Sequence, residues 1–385
     1  MLAARRNILP IILMGTLLTS LLVAINSNVL NSLGKGRSEH YLIVGVYGGK
    51  YVNESSLHFI MRELEDTSIR IGNVTWRIKA YLITESDIKI KYDIGMLYDI
   101  IILPDGDMSS YVSALSALRD EVSRTLQLGG GFIGIGSGAY VVTRDIVYPG
   151  TKELKYTGWG IVDVRTYVVT YSGNVTLRLT NYGLSIFNKT TSIFNKTCGY
   201  VFDIFSHGLP LAIIESAMNA SGNISLVIGY PISIAYEGDQ FRSILIGYTD
   251  LSPRELMYSI AYVAYLLNPS PRGIIAKINI LTQLMYNVTF PLTSSSVKKA
   301  KAYLSEAIDC VYEDPYKALT LYYSAKSILR KDYLHWLSYQ ERKYIFKSIL
   351  FLSLLIVTIM SSLLFVYIQY MKRKHFKLRR KGKKI

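Results

Sequence analysis

The sequence predicts a doubly wound, mainly parallel α/β domain, followed by an α-helical hairpin and a transmembrane helix. Three observations support this. Short apolar runs alternate with amphipathic segments between residues 41 and 143, helical periodicity dominates 273–346, and a run without charged residues covers 348–370. Parallel strands covered by helices on both faces form such continuous apolar runs. The predicted divisions are an N-terminal signal anchor or signal peptide (1–33), the α/β domain (34–268), a helical stalk or hairpin (269–345), the transmembrane helix (346–370) and a basic tail (371–385).

Strands and helices alternate along the first half of the α/β domain. Each predicted strand is rich in Ile, Val, Leu or Tyr, and each predicted helix repeats apolar residues every three or four positions. Glycine-rich or Pro-Asp-Gly turns end several of these segments. The predicted strands are 41–47, 76–83, 98–103 and 132–135, and the predicted helices are 54–66, 111–128 and 136–143.

Residues 156–250 have a different pattern, in which Tyr, Thr and Val alternate with polar residues. This alternation favours further strands, some of them antiparallel at the sheet edge. A helix at 254–267 closes the domain, and the Pro-containing segment 268–272 is a linker by composition. The predicted strands of this part are 162–171, 175–179, 224–230 and 243–248.

The segment after the linker contains three predicted helices. Ser296 caps a helix at 297–311, and an Asp-Pro pair begins a helix at 316–329. A third helix runs from about residue 331 into the apolar run. The pattern resembles a single tetratricopeptide-like hairpin, and one hairpin is too short for a repeat array. We therefore interpret it as a stalk or a docking hairpin.

The distribution of charge favours a membrane surface over nucleic acid as the partner. Of the 43 Lys and Arg residues, nine lie in 372–384 and two more are Arg5 and Arg6, so that the rest of the chain is nearly balanced against its 28 acidic residues. Basic residues beside apolar runs are typical of membrane anchors. We therefore expect 348–370 to span a cell membrane, with the basic tail in the cytoplasm and residues 31–346 outside it.

The N-terminal apolar run at 8–25 has two interpretations. Its 18 residues and the lack of an Ala-x-Ala site favour an uncleaved anchor, whereas its positively charged start also describes a secretory signal. Both interpretations leave the middle of the chain outside the cytoplasm. The Tyr- and Ile-rich composition, with many glycosylation sequons, is similar to that of archaeal surface proteins.

Eight Asn-x-Ser/Thr sequons all fall within the proposed external region, where a sequence of this length would contain roughly two. They therefore favour the predicted topology. Cys198 and Cys310 either form a disulfide in an oxidising compartment or are two buried thiols, and two cysteines are too few for a zinc cage. The sequon asparagines are Asn53, Asn73, Asn174, Asn188, Asn195, Asn219, Asn223 and Asn287.

The glycine-rich stretch 129–140, GGGFIGIGSGAY, is the strongest indication of chemistry in the sequence. Its glycine spacing does not fit a dinucleotide-binding turn, and it lacks the Gly-Lys-Ser/Thr of a phosphate-binding loop. It fits a nucleophile elbow better, because a tight strand-to-helix turn requires small residues on both sides of the nucleophile. The small residues here are Gly134, Gly136 and Gly138, with Ser137 among them.

Together with ILPDGDMSSY at 102–111, this stretch resembles the class I glutamine amidotransferase-like fold, nearest to the domain at the N-terminus of some biotin–protein ligases. The segments IVGVYGG at 43–49 and AYEGDQFRSILIGYTDLSP at 235–253 occur in the same order. The resemblance covers residues 40–268. It implies a flavodoxin-like, doubly wound sheet whose ligand crevice lies at the carboxyl ends of the strands.

The catalytic residues that this resemblance implies are missing. The nucleophilic Cys of the family aligns with Gly136, and Ser137, one position later, points its side chain elsewhere. The catalytic His would fall between Tyr248 and Asp250, where no His occurs. The Pro-Gly-Gly motif that helps to form the oxyanion hole reads Pro-Asp-Gly, with Asp105 in the middle. Covalent catalysis needs a nucleophile, a base and oxyanion donors, so we expect a domain that has lost its activity.

Several functions are compatible with these residues. A non-catalytic domain would bind a carbohydrate, a peptide or an envelope protein in the crevice. A Ser137–His207 pair would instead make the chain a membrane-bound hydrolase or amidotransferase. Asp105, Asp107 and Asp250 would bind a cation if they faced one another, although acidic residues are common in turns. The last alternative is a structural cell-envelope component. We expect no cofactor, no metal and no nucleic acid. The predicted crevice residues are Asp105, Gly106, Asp107, Gly136, Ser137, Tyr140 and Tyr248.

Overall fold

A computed structural model describes residues 40–381 except 72, 86, 88–93, 115, 188–190, 196–197, 205–207, 239 and 288–289. The described residues form a mixed α/β fold around a 13-stranded sheet, which confirms the predicted class at this level. The strands are β1 (His40–Tyr47), β2 (Ser68–Ile71), β3 (Val74–Ile83), β4 (Ile100–Leu103), β5 (Gly131–Ile135), β6 (Thr143–Val147), β7 (Leu154–Thr157), β8 (Val162–Leu179), β9 (Thr191–Asn195), β10 (Cys198–Ile204), β11 (Gly208–Gly222), β12 (Pro231–Glu237) and β13 (Arg242–Ile246). The helices are α1 (Glu54–Leu64), α2 (Ile94–Leu97), α3 (Met108–Ala114), α4 (Ser116–Gln127), α5 (Ser137–Tyr140), α6 (Asn181–Phe187), α7 (Pro253–Val263), α8 (Pro271–Asn287), α9 (Ser294–Cys310) and α10 (Pro315–Lys381), with a 3₁₀ turn at Asn223–Val227.

One half of the sheet is parallel and buried. β3, β1, β4, β5 and β13 lie side by side in that order, and each neighbouring pair is parallel. β2 adds an antiparallel edge to β3. β4 and β5 are buried along their whole length, as expected of central parallel strands. The strands predicted at 41–47, 76–83, 98–103 and 132–135 are therefore confirmed.

The other half of the sheet is largely antiparallel. β12, β11 and β8 continue from β13, whereas β6, β9 and β10 pair with β8, and β7 pairs with β6. β8 is one strand of 18 residues where the sequence predicts two strands, at 162–171 and 175–179. The intervening Ser-Gly-Asn does not end the strand, because β11 pairs with residues on both sides of it.

The strand predicted at 224–230 is wrong. These residues begin in the 3₁₀ turn and continue as a bend. Gly222, the last residue of β11, and Gly229 flank the turn with φ of 106° and 87°, a backbone conformation that glycine adopts readily. Ile224 and Val227 are buried, so the apolar residues that suggested a strand fill the core from a turn instead.

The C-terminal helical segment packs against the α/β domain and does not stand apart from it as a stalk. The ring of Tyr323, on α10, lies 5.1 Å from the ring of Trp76, on β3. Lys326 and Arg330, also on α10, reach the carboxylate of Asp99 at 2.9 and 2.5 Å, immediately before β4. These three charged side chains are less than 10% exposed, so separating α10 from the domain would leave buried charges without partners.

Among the residues that the structure describes, no helix combines the length and the apolarity that are needed to cross a membrane. This finding contradicts the transmembrane helix predicted at 346–370 and the membrane location that was inferred from it. The apolar run is instead the continuation of α10, which passes without a break through the helix boundary predicted at 329–331 and ends at Lys381. The anchor or signal predicted at 1–33 lies outside the described residues.

Cys310, at the end of α9, is a free thiol. Its Sγ lies 3.7 Å from the carbonyl oxygen of Ala307, one helical turn earlier. Of the two alternatives for Cys198 and Cys310, a disulfide or two thiols, the structure has Cys310 as a thiol. The side chain of Cys198, at the start of β10, is outside the described part of the structure.

Candidate functional site

The carboxyl ends of β1, β4 and β13 open into a crevice with a volume of about 490 Å³. Its walls come from the first turn of α1 together with its N-cap, the turn after β4 and the turn between β13 and α7. The first contributes Asn53, Ser55 and Ser56, the second Asp105, and the third Asp250. None of the described residues that line the crevice is Lys, Arg or His. Of the seven residues predicted to form the ligand crevice, only Asp105 is part of this lining.

Two helices begin at this crevice, and each is capped by a side chain of its own segment. Asn53 Oδ1 accepts a hydrogen bond from Ser56 N at 3.1 Å, and Ser252 Oγ accepts one from Glu255 N at 3.2 Å. Glu255 completes a capping box by accepting from the backbone N and the Oγ of Ser252. The sequence analysis missed these residues, although Ser-Pro-Arg-Glu at 252–255 is the pattern of a capping box.

The turn between β5 and α5 has the backbone conformation of a strained elbow, with a glycine at its centre. Gly136 has φ of 54° and ψ of −122°. Residues with side chains adopt such a conformation only with strain. A Cβ atom at this position would lie 2.7 Å from the Cγ of Asp105. The side chain of Asp105 therefore occupies the space into which the side chain of a nucleophile would project.

The carboxylate of Asp105 is bound by the first backbone amide of α5. Its Oδ1 accepts a hydrogen bond from Ser137 N at 2.8 Å. In enzymes that have an elbow, the amide after the nucleophile stabilises the oxyanion of the reaction. Here the carboxylate of Asp105 accepts the hydrogen bond of that amide. The backbone of Asp105 is fixed as well, because its carbonyl oxygen accepts a hydrogen bond from Asn53 N at 2.8 Å.

Ser137 lies beneath the turn and is only 2% exposed. Its Oγ donates a hydrogen bond to the carbonyl oxygen of Gly106 at 2.6 Å. A serine nucleophile needs a neighbouring base that removes the hydroxyl proton, and a carbonyl oxygen does not act as one. His207, the predicted partner of Ser137, lies outside the described residues.

Tyr140 and Tyr248 are buried and do not line the crevice. Tyr140 is fully buried, and its ring centroid lies 4.0 Å from that of Tyr200. Tyr248 is 3% exposed and donates a hydrogen bond to Glu255 Oε1 at 3.1 Å. Burial raises the pKa of both hydroxyls well above the usual value for tyrosine. Neither group therefore ionises near neutral pH, and neither lines the crevice.

Asp107 caps α3 and does not line the crevice. Its Oδ2 accepts hydrogen bonds from Ser110 N at 3.0 Å and Ser109 Oγ at 2.9 Å, and the bonds from Ser110 and Ser109 lower the pKa of its carboxyl group. Asp250 lines the crevice with Asp105. Within the described part of the chain, no group of three or more His, Cys, Asp and Glu residues is arranged to hold a metal ion. The cation site considered for these aspartates therefore gains no support.

Four of the eight sequon asparagines have described side chains. Asn53, Asn73 and Asn287 are exposed, and Asn223 is half-buried. Asn53 lies at the crevice, where its Oδ1 caps α1. Glycosylation of these residues stays a prediction. Asn188 lies outside the described residues, as do the side chains of Asn174, Asn195 and Asn219.

No protein-family model matches the chain, and no curated protein matches it either. Among solved structures, a ThuA-like protein from Bacteroides uniformis is 12% identical, and the match covers 60% of this chain and 94% of that one with a TM-score of 0.39. A glutamine amidotransferase from Thermotoga maritima is 13% identical over 64% of this chain and 97% of that one, with a TM-score of 0.32. A cytoplasmic protein from Salmonella typhimurium is 12% identical over 59% and 96%, with a TM-score of 0.34. Similarities of this extent assign no activity, and the relation to biotin–protein ligases stays a prediction.

Proposed function

We propose that the chain is a non-catalytic binding protein with an amidotransferase-like domain, and that its crevice binds a small, hydroxyl-rich ligand of the carbohydrate type. The observation that carries this proposal is the carboxylate of Asp105 at the glycine elbow. It fills the position from which a nucleophile would act, and it uses the amide that would stabilise an oxyanion. A covalent reaction at this turn would need both.

A hydrolase that uses Ser137 is the less favoured alternative. The hydroxyl of Ser137 would have to leave a buried position and give up its 2.6 Å hydrogen bond to Gly106 before it met a substrate. The oxyanion formed in that reaction would then compete with Asp105 for the same amide. Both requirements raise the barrier for acyl transfer.

The lining of the crevice favours a ligand that offers hydrogen-bond donors. Asp105 Oδ1 is bound by Ser137 N, whereas none of the described residues donates to its Oδ2. Ser55 and Asp250 bring further polar atoms, and the half-buried ring of Phe59 provides an apolar surface. Binding sites for small molecules combine an apolar wall with a few oriented polar groups in this way. Because the described lining contains no cationic side chain, an anionic ligand would lack the charged partner that usually binds it.

A fluorophosphonate probe tests the absence of catalysis. We expect the purified full-length protein to show no more labelling than its Ser137→Ala variant, because the hydroxyl is buried and has no neighbouring base among the described residues. Labelling of the unmodified protein that disappears in the Ser137→Ala variant would refute a non-catalytic domain.

Thermal unfolding in the presence of a panel of mono- and disaccharides tests the binding site. A ligand that binds only the folded protein raises the unfolding midpoint. We expect at least one sugar of the panel to do so. Ser55→Trp should abolish the increase, because Ser55 is an exposed residue of the crevice lining. Ser185→Trp, at an exposed position on α6, is the matched control. If no sugar changes the midpoint, or if the two variants respond alike, the crevice is not a carbohydrate site.

A further inference from the structure

The last described part of α10 carries an apolar surface that no described part of the chain covers. Leu337, at 8% exposed, is the last buried side chain of the helix among those described. Between residues 345 and 365, the large apolar side chains that the structure describes are more than half exposed, including Phe346 at 67% and Phe351 at 70%. We call residues 345–365 the apolar segment of α10. An exposed apolar surface of this extent marks a contact site.

α10 lies beside the start of β1. The ring of His40, the first residue of β1, is 4.9 Å from the ring of Trp76. Trp76 in turn is 5.1 Å from Tyr323 of α10. The chain therefore enters the domain on the side where α10 is packed.

Residues 8–25 form an uncharged run, ILPIILMGTLLTSLLVAI, and residues 26–39 connect it to His40. When extended, this connection spans up to about 46 Å. The helical path from Tyr323 to the beginning of the apolar segment measures about 33 Å. The run can therefore reach the apolar segment of α10. The lengths also agree, because 18 residues correspond to about 27 Å of helix and the apolar segment to about 30 Å.

We propose that residues 8–25 pack against the apolar segment of α10 and run antiparallel to it. The antiparallel order follows from the path of the chain, since the run leads towards the domain and α10 leads away from it. Burial of both apolar surfaces favours this contact. Because both surfaces belong to one chain, their effective concentration is high, so the run has an advantage over a second molecule.

Cysteine cross-linking in cells that produce the full-length chain tests the proposal. Cys198 and Cys310 are first replaced by Ser. Phe346→Cys is then combined with a single Cys at each of positions 22–25, and Leu363→Cys with a single Cys at each of 8–11. Four consecutive positions present every side of the run. We expect each matched set to contain a pair that forms an intramolecular disulfide about fivefold more often than the swapped sets, because the two Cβ atoms must approach within about 4.5 Å.

The pair Thr293→Cys and Asp332→Cys is the positive control, since Thr293 N and Asp332 Oδ2 are 2.8 Å apart. If this pair cross-links while the matched sets do not, the proposal is wrong. Equal yields in matched and swapped sets would also overturn it, because they would show no defined packing. Cross-links that form only between two chains would assign the apolar segment to a second copy of the protein.

Discussion

At the scale of single residues, the turn beside the crevice depends on the close contact between Gly136 and Asp105. Gly136 allows the carboxylate of Asp105 to lie against the elbow, and that carboxylate binds the amide of Ser137. The positive φ of Gly136 and the close approach of Asp105 act together, because each alone would disfavour a side chain at this position. Gly136 and Asp105 therefore form one packed unit.

Replacement of Gly136 by Ala should lower the free energy of unfolding by about 2–4 kcal/mol, because it adds backbone strain to a clash with Asp105. Gly160→Ala is the matched control, since Gly160 also has a positive φ (67°) but has no atom within 4 Å of an added Cβ. It should cost only about 1 kcal/mol. Urea denaturation measures both changes. Adding Asp105→Gly to Gly136→Ala should recover part of the loss, and no recovery would mean that Asp105 is not the source of the clash.

The sequence predicts some of this site but not its central contact. The elbow and its glycines follow from the local pattern, because strand-to-helix turns have strict requirements over a few residues. The direction of the Ser137 side chain follows from its place one residue after position 136. The hydrogen bond between Asp105 and Ser137 joins positions 32 residues apart. It depends on how two neighbouring strands place their ends, which local patterns do not contain.

At the scale of elements, buried charges hold the C-terminal helices on the sheet. Asp99 accepts from Ile43 N at 2.9 Å and pairs with Lys326 and Arg330 of α10. Burial by itself raises the pKa of Asp99, but the positive charges of Arg330 and Lys326 lower it below the usual value overall. The carboxylate therefore stays charged, and α10 supplies its partners.

Lys277, on α8, is a buried cation without a carboxylate of its own. It is 2% exposed, its Nζ donates to the carbonyl oxygen of Gly129, and it lies 4.7 Å from the ring centroid of Tyr265. Burial, followed by the charge of Lys326, lowers its pKa from 10.5 to about 7. The unfolded chain therefore holds this proton more tightly than the folded protein between pH 7 and 10.5.

This difference gives the stability a predictable dependence on pH. The contribution of Lys277 to the free energy of unfolding should be lowest below pH 7 and should rise above it by up to about 1.4 kcal/mol per pH unit. Lys277→Met should remove this slope and increase stability at pH 6. Lys298→Met, at an exposed position on α9, should keep the slope. Denaturation at pH 6, 7, 8 and 9 measures it, and equal slopes for both variants would contradict the assignment to Lys277.

Local sequence patterns predict some helix and strand boundaries correctly and others wrongly. The strands of the parallel half are predicted because each is a short apolar run that ends in a turn. The helix boundary at 329–331 and the strand at 224–230 are predicted wrongly. In the first case, Arg330 pairs with Asp99 from within α10, which continues through the predicted boundary. In the second case, flanking glycines with positive φ allow a turn to bury apolar residues.

At the scale of the whole molecule, α10 belongs to the fold along its first third and leaves it afterwards. A chain that ends at Lys343 should keep its cooperative thermal unfolding with a midpoint within about 4 °C of the full-length protein, because none of the described side chains that are removed is buried. A chain that ends at Asp314 should lose cooperative unfolding, because Tyr322, Tyr333 and the partners of Asp99 are removed. Circular dichroism during heating measures both. Cooperative unfolding of the shorter chain at an unchanged midpoint would show that α10 is not part of the fold.

Only part of the global architecture can be predicted from the sequence. The mixed α/β class follows from alternating apolar and amphipathic segments, which reflect local burial. The transmembrane helix predicted at 346–370 is wrong, because the described part of the chain contains no helix with the length and the apolarity that a membrane span needs. The docking of the helical segment cannot be predicted from local sequence patterns either, since Asp99 lies more than 200 residues before its partners Lys326 and Arg330.

The contact between Gly136 and Asp105 limits which mutations this turn can accept one at a time. A single mutation that placed a cysteine at position 136 would bring its side chain against the carboxylate of Asp105 and would destabilise the protein. A single mutation at position 105 would remove an acceptor of the Ser137 amide and would supply no nucleophile. A reactive cysteine at this turn would therefore require coordinated changes at both positions.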